Sequence, residues 1–178
     1  LFLSASDRSI DLIQEGIDCV VRVGSLSDSS LVSQPLGRLS MINCASPDYL
    51  QRYGTPEHPE QLAGHWGVGY AQPTLAGADT WVWQRGDQHM EKILRSRVTV
   101  NNAENYIGCC LAGLGMIQIP RFDVQHYLED RSLCEVLPQA RPPAMGIALL
   151  YPHRRQRSAR LTAFAEWFSH LIKPFCEN

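Results

Sequence analysis

Between Leu39 and Gly54 the chain reads LSMINCASPDYLQRYG, and few structures are open to such a string. Apolar Leu39, Met41 and Ile42 make a strand that runs into Ser46-Pro47, a hydroxyl residue followed by proline, the pair that caps and starts a helix. Gly54 ends that helix, and Thr55-Pro56 repeats the start for a second short turn carrying Pro59, Leu62 and Gly64. The pattern predicts a strand followed at once by a short capped helix.

Alternation of this kind continues on both sides and predicts an α/β protein with largely parallel sheets. Leu1 to Ala5 reads as a short strand, Asp7 caps a helix carrying Ile10, Ile13 and Ile17, and Gly16 ends it. The run Ile17 to Val23 reads as a strand buried on both faces. His65 to Tyr70 is the next strand; a hairpin then places Trp81 and Trp83 on one face, turns at Gly86-Asp87 and returns toward Val98 and Val100. Asn101-Asn102 caps a helix with Ile107, Cys110, Leu111 and Leu114 at helical spacing, closed by Gly113 and Gly115. Met116 to Ile119 and Leu133 to Leu137 read as strands around a helix from Arg121 to Arg131. Gly146 to Tyr151 is a further strand, and a helix from Ser158 places Leu161, Phe164, Phe168 and Leu171 on one face.

A chain of 178 residues, 44% hydrophobic and 19% charged, buries a substantial core as one domain or two small lobes. Its formal net charge of -2 sets up no global field for nucleic acid. No apolar run of about 18 residues is present, so no membrane span is expected. The opening LFLSASDRS lacks the basic leader and small-residue cleavage site of a secretory signal, and the six cysteines include no CxxC. A cytoplasmic location is the expectation.

The segments DLIQEGIDCVVRVG, ASPDYL, HPEQLAGH, VNNAENYIGCCLAGLGM, LLYPHRR and ARLTAFAEWF together closely resemble the effector-binding domain of LysR-type transcriptional regulators, over essentially the whole chain. The resemblance implies two Rossmann-like lobes joined by two crossing strands, a type II periplasmic-binding-protein-like fold. Lobe I would comprise residues 1–43 and 149–178, and lobe II residues 44–148. It implies a sensor of a small, anionic metabolite held between the lobes, without cofactor or metal. It also implies a side-by-side antiparallel homodimer, a tetramer at full length, promoter DNA as partner through a winged helix-turn-helix not in this chain, and RNA polymerase as a possible contact. Family members carry a further strand and helix before the LFLSAS strand, so the Leu1 strand is expected to want an inner neighbour.

Seven residues are candidates for the effector. Ser46 and Asn102, with Pro47 and Ala103 behind them, stand at helix starts whose N–H groups and positive dipole end suit a carboxylate, although capping alone explains them as well. Arg22, charged within an apolar strand, needs either an internal carboxylate or an anionic ligand. Ser6 and Asp7 lie at a strand-to-helix turn where the family places an effector-contacting hydroxyl; a cap by Asp7 is the plainer role.

Other chemistries find less support. Cys109-Cys110 resembles a redox pair only superficially, because Cys110 falls on the apolar helix face. The run His153, Arg154, Arg155, Arg157 and Arg160 reads as a solvated helix start more than a phosphate contact. GxSxG, HExxH, Walker and GxGxxG patterns are absent, and no two histidines stand at i, i+4. A prephenate-dehydratase-like lyase on the same fold would need a Thr-Arg-Phe motif that is missing. A transport solute-binding protein is the remaining alternative.

Overall fold

The computed structural model describes residues 2–4, 12, 14–24, 31–70, 80–152 and 158–177. Strands β1 (Val20–Val23) and β2 (Leu31–Leu39) come first. There follow β3 (Met41–Ala45), α1 (Pro47–Tyr53), a 3-10 turn at Pro59–Gly64, β4 (Trp66–Tyr70), β5 (Thr80–Arg85), β6 (Gln88–Ile93) and β7 (Arg95–Val100). The chain ends with α2 (Ala103–Leu111), β8 (Ile117–Pro120), α3 (Arg121–Glu129), β9 (Cys134–Val136), β10 (Met145–Pro152) and α4 (Ala159–Ile172). Two compact units make up the chain, one of residues 1–8 and 41–143 and the other of residues 9–40 and 144–178. Met41–Pro143 is called the insert unit below, and β1, β2, β10 and α4 belong to the flanking unit. The expected divisions, after residues 43 and 148, lie slightly further along the chain.

In the flanking unit β10 is the middle strand, with β1 and β2 antiparallel on either side. Its face carries Leu149 and Tyr151 against Leu161 and Ala165 of α4, with Val21, Val32 and Leu36 around them. Ser158 caps α4 by accepting from Leu161 N at 3.2 Å. The buried stripe runs Leu161, Ala165, Ile172, so Leu171, expected on that face, is 49% exposed beside exposed Trp167. The strand anticipated over Ile17 to Val23 is shorter and only half-buried, and among the described strands β1 has β10 alone as a neighbour. Phe2–Ser4, anticipated within a strand, form none among the described residues, and Phe2 and Leu3 are exposed.

In the insert unit β3 lies antiparallel between β8 and β9, while β4 pairs parallel with β7 and a parallel bridge at Gly67–Met116 ties β4 to the start of β8. Pairing among the described strands is therefore mainly antiparallel, against the expectation, because β3 and β10 run counter to the strands beside them. Along β3 the two-residue period sends Ile42 and Cys44 into one core, with Tyr106, Cys110, Ile117 and Ile119. Ala45 goes into the other, with Tyr49, Leu62, Trp81, Trp83 and Met116. Burying each large side chain of this set contributes about 1.5–3 kcal/mol.

The hairpin turns where anticipated, Arg85 pairing with Gln88 across Gly86-Asp87, with Gly86 at φ 59°. Its return strand stops at Ile93: Leu94 is buried in the Trp81 core, and the chain leaves the hairpin to join β4 as β7. The short turn begins at His58-Pro59 instead of Thr55-Pro56, because Gln61 Oε1 accepts from His58 N at 3.2 Å and Glu57 N at 2.6 Å. Leu114, counted on the α2 face, lies beyond the helix and is 41% exposed. Gly115 is forced by a close approach, since a Cβ there would stand 2.6 Å from Gly67 C and 2.8 Å from Val68 N.

Two side chains on β3 and β8 tie these layers together. Asn43, fully buried, donates from Nδ2 to the carbonyls of Leu137 at 3.3 Å and Ala140 at 2.9 Å. Its Oδ1 accepts from Gln118 Nε2 at 2.8 Å. Gln118 Nε2 also donates to Val82 O at 2.8 Å while its Oε1 accepts from Val82 N at 3.0 Å, so this side-chain amide pairs with β5 as another strand would. Asn43→Ala takes its donor from the Ala140 carbonyl and its acceptor from Gln118 Nε2, while the Leu137 carbonyl keeps Ala140 N, and is expected to lower unfolding free energy by about 3 kcal/mol. Urea unfolding of variant and parent measures it.

Tyr49 Oη accepts from Trp66 N at 2.8 Å and stands within hydrogen-bond reach of His65 Nδ1 at 3.1 Å. Burial pushes the His65 pKa below its ordinary value. The unfolded chain therefore binds the proton more readily than the folded one, so this contribution is present above about pH 6.5 and is lost as pH falls below it. Urea midpoints from about pH 7.5 down to 5 are expected to decline. His65→Gln, which keeps an acceptor, is expected to flatten that decline.

Candidate functional site

Strands β4 and β7 run parallel, with Tyr70 opposite Val100, and β8 starts alongside them in the same direction. Their carboxyl ends therefore share one edge of the insert unit, the edge where open α/β sheets hold ligands. Asn102 sits there, directly after β7, with extended backbone, and its Oδ1 accepts from Asn105 N at 2.9 Å. Asn101 Oδ1 accepts from Asn102 Nδ2 at 3.3 Å, fixing which way the amide faces. Asn102 and Ala103 are half-buried, and Glu104 in the first turn answers part of the helix dipole.

Ser46 is elsewhere. Because β3 runs against β8, its carboxyl end lies where β8 begins, and Ser46 lies against Gly113, past the far end of α2. The nine residues of α2 put roughly 13 Å between the two helix starts. Ser46 is buried, its hydroxyl accepts from Tyr49 N at 3.3 Å, and it starts a helix of only seven residues. Pro47 behind it is exposed, beside the Asp48–Arg52 ion pair. The structure thus does not bring Ser46 and Pro47 together with Asn102 and Ala103. Arg22 is on β1 opposite Ala148, half-buried, on the sheet face away from Val21 and the α4 core. Ser6, Asp7 and most of the basic run lie outside the described residues; Arg160 is exposed on α4.

The cysteine pair is not poised for redox chemistry. Cys110 is fully buried with its thiol 3.6 Å from Cys44 O; hydrogen bonding to Cys44 and then burial hold its pKa well above the ordinary thiol value. Among the described residues no group of three or more His, Cys, Asp or Glu side chains could hold a metal ion.

One local feature was missed from the sequence. After Met116 N donates to Trp66 O and Val68 N to Met116 O, both at 2.9 Å, the β4–β8 ladder stops. Gln118 N donates instead to Tyr106 Oη at 3.2 Å, while on its other side β4 slips register against β7 between Gly67 and Gly69. The strands part, leaving a crevice. The available signal was a polar residue, Gln118, in the otherwise apolar run MIQIP.

A family model described as the LysR substrate binding domain matches residues 1–172. The HTH-type transcriptional regulator YhjC of Escherichia coli K12 is 40% identical over 99% of this chain, which spans 59% of that protein. Among solved structures, the regulatory domain of CrgA, a LysR-type regulator from Neisseria meningitidis, superposes with TM-score 0.77 at 26% identity, covering 92% of this chain and 81% of that one. Full-length AphB, the Vibrio cholerae virulence activator, does so with TM-score 0.74 at 26% identity over 96% of this chain and 57% of that one. These likenesses define a class, the regulatory domains with a two-lobe periplasmic-binding-protein-like fold. The chain belongs to the LysR substrate-binding domain family. It spans little more than half the length of the curated relatives it matches.

Proposed function

We propose that this chain is the effector-sensing and oligomerising part of a LysR-type transcriptional regulator and that it binds a small carboxylate-bearing metabolite. The observation that carries the reading is the family match along residues 1–172. Supporting the ligand class is the Asn102-capped start of α2 at the carboxyl edge of β4 and β7, with Arg22 on the flanking unit as a second candidate for the anion. Ser6 and Asp7 stay in the proposal through the family pattern alone. Promoter DNA would be bound by a winged helix-turn-helix joined to this chain, and the ligand would bias that assembly by preferring one of its states. Cytoplasmic residence goes with such a role. No helix among the described residues is long and apolar enough to cross a membrane. A lyase on the same fold has no motif to support it.

A thermal-shift screen of small carboxylates is the test. A ligand at 100 times its dissociation constant is expected to stabilise the protein by about 2.7 kcal/mol. Ser46→Ala and Asn102→Ala each remove a cap and lower stability by about 1 kcal/mol, and the ligand's effect should survive in the first and fall in the second. Equal ligand stabilisation in Asn102→Ala and parent removes Asn102 from the site.

Assembly is proposed as the family's antiparallel homodimer, two copies related by a two-fold axis, with tetramers at full length. In the insert unit β7 has β4 as its one ladder partner among the described strands, and Arg95, Arg97 and Thr99 alternate outward along it. Val98 and Val100 pack into the unit's own core, so a charge at either would unfold the protein before it tested an interface. Sedimentation at micromolar concentration is expected to show a dimer burying on the order of 1,200–2,000 Å² or more. A clean monomer overturns the assembly and leaves the ligand reading standing.

A further inference from the structure

Four cations follow one another along the line where the hairpin and β7 border the 3-10 turn and α1. Arg85 Nη2 donates to Glu60 Oε1 and Lys92 Nζ to Glu60 O, both at 3.3 Å. Arg95 Nη2 donates to Ala63 O at 3.3 Å, and Arg97 Nη1 to Tyr53 Oη at 3.2 Å. Glu60 thus answers the charge of Arg85. Lys92, Arg95 and Arg97 bond only to uncharged oxygens in these contacts, and none of the three forms an ion pair among the described residues.

Trp66 arranges two of these charges. It pairs with Arg95 in the β4–β7 ladder, and the guanidinium carbons of Arg95 and Arg97 lie over its ring, 4.6 and 4.2 Å from the centroid. The two charges therefore stand no more than about 9 Å apart, inside the Debye length of about 10 Å at 0.1 M salt, so they repel each other. Stacking on the ring holds both side chains toward β4, away from the side of β7 that has no described partner, and leaves that edge to the proposed dimer. Like charges held together without a counter-ion attract an anion. The form of the row decides which anion. Arg95 and Arg97 are exposed on the strand and make a line of separate contacts, not a concave site that encloses a small oxyanion. An extended polyanion with regularly spaced charges meets all three cations, and guanidinium forks match phosphate oxygens. With two guanidiniums over it, the Trp66 ring is not offered to a stacking base.

We infer that Lys92, Arg95 and Arg97 form a contact surface for the phosphodiester backbone of duplex DNA, independent of base sequence. The inference rests on the reading of this chain as part of a DNA-bound regulator. Three charges bind weakly by themselves, but a domain tethered to a bound duplex meets it at about millimolar effective concentration. Such a contact would make the domain sensitive to the path of the promoter DNA as well as to its own ligand.

The test titrates a short DNA duplex of arbitrary sequence into the whole chain labelled with ¹⁵N-tryptophan. The Trp66 indole N–H resonance is expected to shift in a saturable way, while that of exposed Trp167 on α4 stays in place. Repeated between about 0.02 and 0.2 M salt, the titration should give a log–log slope of affinity against salt of about −2.7, the value for three phosphate contacts. Replacing both guanidiniums, Arg95→Gln with Arg97→Gln, should reduce the slope to about −0.9 at an unchanged far-ultraviolet circular dichroism spectrum. Arg160→Gln, on exposed α4, should leave the slope as it is. An unmoved Trp66 resonance, an undiminished slope in the folded double variant, or an equal loss of slope in Arg160→Gln overturns the surface. Tighter binding of poly-L-glutamate than of the duplex also overturns it, in favour of an acidic protein. None of these outcomes bears on the carboxylate screen or on sedimentation, which test the proposed function separately.

Discussion

The buried amide of Asn43 holds the insert unit in register. Ile42 and Cys44 on either side of it can be satisfied by apolar contact alone, but the Asn43 amide is content only when Leu137, Ala140 and Gln118 are all in place. Gln118 then carries the constraint to Val82 and the hairpin, so one chain of hydrogen bonds crosses from β9's end through β3 and β8 to β5. Slipping β3 by a residue would bury Asn43 against the other core with its donors unmet, a far larger penalty than a misplaced methyl. Leu137 shows how firmly the arrangement is set. It is held at φ 49°, an uncommon region for a residue with a branched side chain, while its carbonyl receives Asn43 and its side chain is buried.

What was readable in advance was local. Ser46-Pro47, Gly86-Asp87, Asn102 and Ser158 each act within three or four residues, and each does in the structure what its chemistry specifies. Strand direction was not readable, because Leu39 to Ala45 has the same apolar pattern whether its neighbours run with it or against it. That one undetermined sign decides that Ser46 lies at the edge opposite the one that carries Asn102. The roles of Asn43 and Gln118 were hidden for a related reason: a polar residue in an apolar run announces a need, but the partners that join these two to each other, to Val82 and to the Leu137–Ala140 turn lie 36 to 97 positions away. His58 displaced Thr55 as the turn start because Gln61, three residues on, could return the cap.

On the insert unit α2 links the sheet edge to the interior. Its first residues offer N–H groups and a dipole at the sheet edge, which suits charge. One turn later Tyr106 is buried, and its hydroxyl accepts from Gln118 N at 3.2 Å. A single short helix thus joins the capped sheet edge to β8.

The middle position of β10 in the flanking sheet has a consequence for how the chain is born. Strands β1 and β2 leave the ribosome early, yet the strand each must pair with is encoded beyond the whole insert unit. At about 5–20 residues per second they wait on the order of ten seconds with both ladders open, while the insert, complete in itself, can fold first. Vectorial synthesis thereby imposes an order, and the first half of the flanking sheet is the stretch that chaperones would meet bare.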